Sequence, residues 1–414
     1  MTPSLFSTLF IAALSVSTSL RLWLSLRQAR HVAAHRAAVP AAFAASISLA
    51  DHQKAADYTL AKGRLGRIDL AISTLWLLIL TLAGGLQWLS DQAAGLVPET
   101  SLWHGVVLFG LLSVASFVID LPLSLYSTFR LEAQFGFNRM TPGLFIVDTL
   151  KQIGLTAGIG APVLWVVLWL MQGMGANWWL WVCAFWLGFN LLGMVIFPVF
   201  IAPLFNKFSP LDNDAVKSRV EALLARCGFR SKGLFVMDGS KRSAHGNAYF
   251  TGFGAGKRIV FFDTLLATLT PEETEAVLAH ELGHFKHKHL WKRIAVMGVA
   301  VLALLWALGF LMQQPWFYQD LGVTAQSNAN ALILFSLILP IVLFPLTPLT
   351  SMWSRKHEFE ADAYARKQTN SADLVTALVK LYKENAATLT PDPLHSLFYD
   401  SHPPASIRIG RLQA

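Results

Sequence analysis

The sequence predicts a mainly α membrane protein of seven transmembrane helices, with a cytoplasmic α+β segment inserted between the fifth and sixth. Three observations carry this. The chain is 54% hydrophobic and only 14% charged, with a positive mean hydropathy, far from the balance of an ordinary soluble domain. Apolar stretches long enough to span a bilayer recur along it. One polar stretch, His280-Glu281-Leu282-Gly283-His284, has the spacing of a helical zinc site.

The expected spans are residues 4–26, 68–90, 101–125, 149–172, 178–204, 291–313 and 330–352. At about 1.5 Å per residue each is long enough for a hydrocarbon core of roughly 30 Å. No basic region precedes the first and no small-residue cleavage site follows it, so it reads as a retained span. The connection after it carries Arg27, Arg30, Arg36, Lys54, Lys62, Arg64 and Arg67, whereas residues 91–100, 173–177 and 314–329 contain no Lys or Arg. By the positive-inside rule the N-terminus lies outside and the C-terminus in the cytoplasm. The chain thus divides into a five-span membrane region (1–204) with a cytoplasmic loop at 27–67, a cytoplasmic segment that holds the zinc-spaced stretch (205–290), a two-span hairpin (291–352) and a cytoplasmic tail (353–414). A bacterial inner membrane, or the ER membrane in a eukaryote, suits this arrangement. The formal net charge of +8 fits loops facing anionic lipid, and nothing resembles a nucleic-acid-binding stripe. Cys183 and Cys227 are too far apart in setting to suggest a disulfide or a thiolate metal site.

Within 205–290, residues 212–228 read as an amphipathic helix, and 233–237, 246–252 and 257–262 as short strands. Asn247, Ala248 and Tyr249 begin a strand that, at a sheet edge, could pair with an extended peptide. Thr270-Pro271-Glu272-Glu273 supplies an N-cap, a proline at the first position and a capping-box glutamate, so a helix starts there. His280 and His284 then share one face of it and can reach one metal ion. Glu281 sits beside the water such an ion would activate. A third ligand is needed. In His357-Glu358-Phe359-Glu360-Ala361-Asp362, Glu358 and Asp362 are one turn apart while Glu360 faces elsewhere, so Glu358 is read as the ligand and Asp362 as a carboxylate orienting one histidine. The hairpin of spans brings Glu358 back to His280 and His284. His287 and His289, alternating with lysines, read as the basic end of the zinc helix at the membrane surface.

Several ordered motifs add to this: Phe135-Gly136-Phe137-Asn138, Ala202-Pro203-Leu204-Phe205-Asn206-Lys207-Phe208, Asn247-Ala248-Tyr249-Phe250, the zinc pentapeptide, Glu358 to Asp362, and His402-Pro403-Pro404 with Arg408. Together they resemble the integral-membrane zinc CAAX prenyl endopeptidases of the a-factor-converting type, over nearly the whole chain. The resemblance implies seven helices enclosing a chamber, a zincin-like cytoplasmic domain, one zinc ion per chain at the cytoplasmic end, and Asn247 beside the substrate strand. It also implies that His402 and Arg408 face the metal and help bind the peptide carbonyl or its oxyanion. The expected partners are the bilayer and a peptide or protein substrate, lipidated at its C-terminus. Two other functions fit the residues: a quality-control protease for membrane proteins, and a seven-helix transporter or lipid-binding protein with a structural zinc. Glu281 argues against the last, since a structural site has no use for a base.

Overall fold

The computed structural model describes residues 4–251 and 258–414. Its membrane part comprises α1 (Leu5–Ala34), α2 (Leu49–Leu80), α3 (Gly85–Leu96), α4 (Leu102–Glu132), α5 (Pro142–Gly173) and α6 (Gly175–Phe205). Each of α4, α5 and α6 continues through a π-turn without breaking the rod. Six helices among the described residues can cross a membrane, or seven if α2 and α3 count as one broken span. That break corrects the straight span expected at 68–90. After Leu80 the chain bends by 61°, with Gly84 in the left-handed region (φ 75°). Gly322, from the 314–329 connection, approaches Thr81 so closely that a Cβ on it would lie 2.1 Å from the Thr81 carbonyl oxygen. The loop expected at 27–67 is also largely helical, formed by the end of α1 and the start of α2.

The two ends of the bundle are tied differently. At one, Ser7 donates to the Asp320 carbonyl, and Thr324 donates through its backbone N–H and its hydroxyl to Gln87 Oε1. At the other, Arg27 pairs with Asp392 at 2.9 Å and Tyr58 donates to Glu132 at 2.6 Å. The basic connection thus meets the tail at this end.

The segment following α6 builds a four-stranded sheet in the order β1 (Phe208–Pro210), β2 (Leu234–Met237), β4 (Arg258–Phe262), β3 (Ala248–Thr251), with β2 and β4 parallel and the other pairs antiparallel. β1 has no expected counterpart, being three residues with a proline, which an edge strand tolerates. The expected strands 246–252 and 257–262 each include a residue, Gly252 and Lys257, outside the described set. Amphipathic α7 (Asp214–Arg226) covers the sheet with Val216, Val220, Leu223 and Leu224. Arg242 latches this segment to the spans, donating to Asp148 on α5 at 2.7 and 3.0 Å and to Asn206 at 3.0 Å. Phe137, beyond α4, stacks on His245 at 4.4 Å just ahead of β3.

Helix α8 (Pro271–Lys286) has the expected capping box. The sixth and seventh spans follow as α9 (His289–Leu311) and α10 (Asn328–Leu343). After a tight turn at Phe344–Leu346 the chain runs on as α11 (Thr347–Gln368). The tail adds α12 (Ser371–Glu384), α13 (Pro393–Tyr399) and α14 (Ala405–Gln413). Helices α8 and α11 pack along Ala276, Ala279, Gly283, Ala361 and Ala365, all small and buried.

Candidate metal centre

Close packing of α8 on α11 sets the site. A Cβ on Gly283 would lie 2.8 Å from the Ala361 Cα and 3.0 Å from its carbonyl oxygen. Glycine inside a helix costs about 0.5–1 kcal/mol relative to alanine, so this contact explains why the position carries no side chain. It lets the His280–His284 face of α8 lie directly against the Glu358 turn of α11.

Three side chains converge there. His280 Nε2 is 3.3 Å from His284 Nε2 and 3.3 Å from Glu358 Oε2, and His284 Nε2 is 3.4 Å from Glu358 Oε1. Ligand atoms held about 2.0–2.1 Å from a tetrahedral zinc lie roughly 3.3 Å from one another, so the spacing is that of a coordination shell. Glu358 Oε2 is buried and accepts no hydrogen bond, leaving its lone pairs to a cation. The donor set, two imidazoles and one carboxylate, suits zinc with one position left open.

Behind His280, Asp362 Oδ1 lies 2.8 Å from Nδ1. A carboxylate can only accept, so Nδ1 carries a proton, and in the neutral ring that a metal would bind Nε2 faces the centre with its lone pair. Arg408, buried on α14, donates to Asp362 through Nε at 2.9 Å and Nη2 at 2.6 Å, and its Nη1 is 3.8 Å from Glu358 Oε2. Two of its donors are therefore committed to a carboxylate. Nη1 is the guanidinium nitrogen left for the expected role of Arg408 in binding the peptide carbonyl or its oxyanion. His402 is 64% exposed at its side chain, with Nε2 3.5 Å from Glu358 Oε1.

Glu281, on the neighbouring face of α8, lines a cavity of about 360 Å³ together with His280, Asn247, Ala248, His402 and Arg408. Burial holds its carboxyl above the usual carboxylate range, reinforced by the charge of Glu358 and opposed by that of His280. Burial depresses His284 to about 3, helped by the charge of His280. For His280 burial acts downward too, but the neighbouring carboxylates of Asp362 and Glu358 prevail and raise it to about 9 in the absence of a metal.

β3 forms the outer edge of the sheet. Ala248 faces the cavity and the core under α8. Tyr249, one residue on, points to the opposite face by strand alternation, among Pro198, Pro203, Phe208 and Phe235. Its side chain is thus directed away from the centre, and only its backbone shares the edge.

His289 is the residue that sequence reasoning misplaced. It is buried, 4% exposed, with Nδ1 2.9 Å from His284 Nδ1 and Nε2 2.8 Å from Glu360 Oε2. No periodic signal could reveal this, because a helix break intervenes. His357 stacks on His289 and faces away from the three converging groups.

Residues 28–207 match the family model described as the CAAX prenyl protease N-terminal region with five membrane helices, and residues 210–414 match peptidase family M48. CAAX prenyl protease 1 of Saccharomyces cerevisiae is 38% identical over 319 residues, covering 73% of this chain and 70% of that protein. The CAAX prenyl protease 1 homolog of Arabidopsis thaliana is 35% identical over 384 residues, covering 90% and 89%. A crystal structure of S. mikatae Ste24p superposes with a TM-score of 0.92 at 32% identity, covering 100% of both chains.

Proposed function

The chain belongs to peptidase family M48 and is a multi-pass, membrane-embedded metalloprotease; on that premise we propose that His280, His284 and Glu358 hold one zinc ion and that Glu281 is the general base for peptide hydrolysis at the cytoplasmic face. The observation that carries the reading is the mutual spacing of 3.3, 3.3 and 3.4 Å among the three ligand atoms. Bound there, zinc supplies Lewis-acid polarisation of a carbonyl and makes water at its open position acidic enough to be a nucleophile near neutral pH.

The protein's own groups do the rest. Glu281 accepts the proton of the attacking water and delivers it to the leaving amine; its pKa, raised by burial, makes it a better proton acceptor than an exposed carboxylate. His402 and Nη1 of Arg408, the guanidinium nitrogen not bound to Asp362, supply donors for the developing oxyanion, each worth about 2.7–4 kcal/mol when well placed. Asp362 keeps the His280 lone pair turned inward. The outer edge of β3, which has no strand partner among the described residues and is preceded by Asn247, takes the substrate as an added strand, so the peptide is extended across the centre and its backbone sets the register.

The names of the relatives support, as the substrate class, a C-terminal peptide of CAAX type bearing a prenyl group. Support comes from the spans. Only 6% of the apolar window of each of α4, α6 and α9 is buried within the protein, whereas a solid bundle turns a stripe of at least about 100° of each helix inward. Staves around an apolar interior fit that low burial, and a lipid lodged there gains about 0.8 kcal/mol per methylene. Turnover of one C-terminal peptide with and without a farnesyl group tests this. Strong preference for the farnesylated peptide supports the assignment, and equal turnover assigns the enzyme to general clearance of membrane proteins instead.

A further inference from the structure

We propose that His289 and Glu360 are positioning residues that hold His284 in the tautomer a metal requires. The inference rests on His284 being a ligand, as above. Helix α8 ends at Lys286, and Lys288 takes a left-handed conformation (φ 56°), uncommon for a residue with a Cβ. That reversal starts α9 at once and turns its first residue, His289, back onto His284. The chain accepts strain at Lys288 and gains the contact.

The hydrogen-bond chain then has one consistent assignment. Glu360 can only accept, so the His289 nitrogen 2.8 Å from it, Nε2, carries a proton. A neutral His289 therefore offers its Nδ1 as an acceptor to the His284 Nδ1 2.9 Å away. His284 must donate from Nδ1, and its Nε2 is left with a lone pair pointed at His280 and Glu358. The opposite arrangement would protonate His284 Nε2 and remove it as a ligand. Asp362 performs the same service for His280 directly; for His284 the carboxylate acts through an intervening imidazole.

His357 fixes the plane of that imidazole, with ring centroids 3.9 Å apart and planes within 12°. The same stacking argues against reading His289, His357 and Glu360 as a second metal centre, although their ligand atoms lie within 4.8 Å of one another. Imidazole lone pairs lie in the ring plane, and those of two stacked rings run parallel and cannot converge on one ion.

The test uses the full-length protein in detergent, with zinc affinity measured by chelator competition and the visible spectrum of the cobalt-substituted protein as a second readout. His289→Phe keeps a ring on His357 but offers no acceptor. It is expected to bind zinc about 10- to 100-fold more weakly and to alter the cobalt spectrum, with the melting temperature of the metal-free protein unchanged. His289→Asn, whose amide oxygen stands near the position of Nδ1, should recover most of the affinity. If His289→Phe does not fold, Glu360→Ala against Glu360→Gln makes the same comparison, since only glutamine keeps an acceptor. Wild-type affinity in His289→Phe or Glu360→Ala overturns the proposal, as does a wild-type stoichiometry of two metal ions with one lost in His289→Phe. His284→Ala separates the two levels: undiminished affinity there removes the ligand assignment itself, whereas weakened affinity there with unchanged affinity in His289→Phe removes only the relay.

Discussion

At the scale of single residues, the site is a set of buried polar groups whose partners determine what each can do. Glu281 lines the cavity and burial pushes its carboxyl upward. Glu281→Gln should keep zinc and lose about 10²- to 10⁴-fold in peptide turnover; full activity in a zinc-loaded variant would remove it from the mechanism. Asp362→Asn strips Arg408 of its bidentate partner and weakens the hold on His280. A buried arginine left unpaired costs about 3–5 kcal/mol, so thermal stability and zinc affinity should fall together. A pH effect follows from His280, raised from 6.5 to about 9 in the metal-free protein. A raised pKa contributes stability below the unfolded value that is lost as pH climbs through the folded one. Melts of chelator-treated protein should therefore show a loss between pH 6.5 and about 9, and a rise in stability across that window would contradict the assignment. Most of the proposed site can be read at this scale. His280, Glu281, His284 and Glu358 announce themselves by spacing on one helix face or one turn, and Asp362 follows from the same turn. Arg408 cannot, because its commitment to Asp362 depends on how α14 folds back, which no local pattern records.

Elements position these residues, and here the sequence was readable wherever local chemistry decides the structure. The capping box of Thr270 and Glu273 fixed the start of α8 before any contact was known. Other features resisted for stated reasons. The left-handed Lys288 has no glycine to betray it, so the fold of α9 back onto α8 was hidden and His289 was mistaken for a surface residue. The break between α2 and α3 depends on Gly322 packing at Thr81, a contact made from more than two hundred residues away. β1 is too short and carries a proline. Gly283 gives the sharpest prediction at this scale. Gly283→Ala improves helix propensity by about 0.5–1 kcal/mol yet sets a Cβ against the Ala361 backbone at 2.8 Å. Helices α8 and α11 must then separate, and zinc affinity should drop even if helix content by circular dichroism is unchanged. An alanine variant with wild-type zinc affinity would show that the close approach is dispensable.

For the whole molecule, the two halves of the site come from opposite ends of a membrane hairpin, α9 going out and α10 returning. The zinc helix and the Glu358 turn can meet only if both lie on one side, which we propose, from the basic connection between α1 and α2, to be the cytoplasmic one. In a background lacking Cys183 and Cys227, cysteines placed at Asp91 or Glu99 should react with an impermeant reagent from outside. Those at Arg36 or Lys217 should not. Reaction at Lys217 from outside would invert the topology and with it the cytoplasmic assignment of the protease.

The joining of His280 and His284 to a glutamate 74 residues beyond His284 in sequence is tested most directly by zinc content per chain, measured on purified wild type and Glu358→Ala after dialysis against metal-free buffer. One zinc per wild-type chain and near-complete loss in Glu358→Ala is the predicted result. A Glu358→Ala protein that keeps a full complement of zinc would contradict the centre described above.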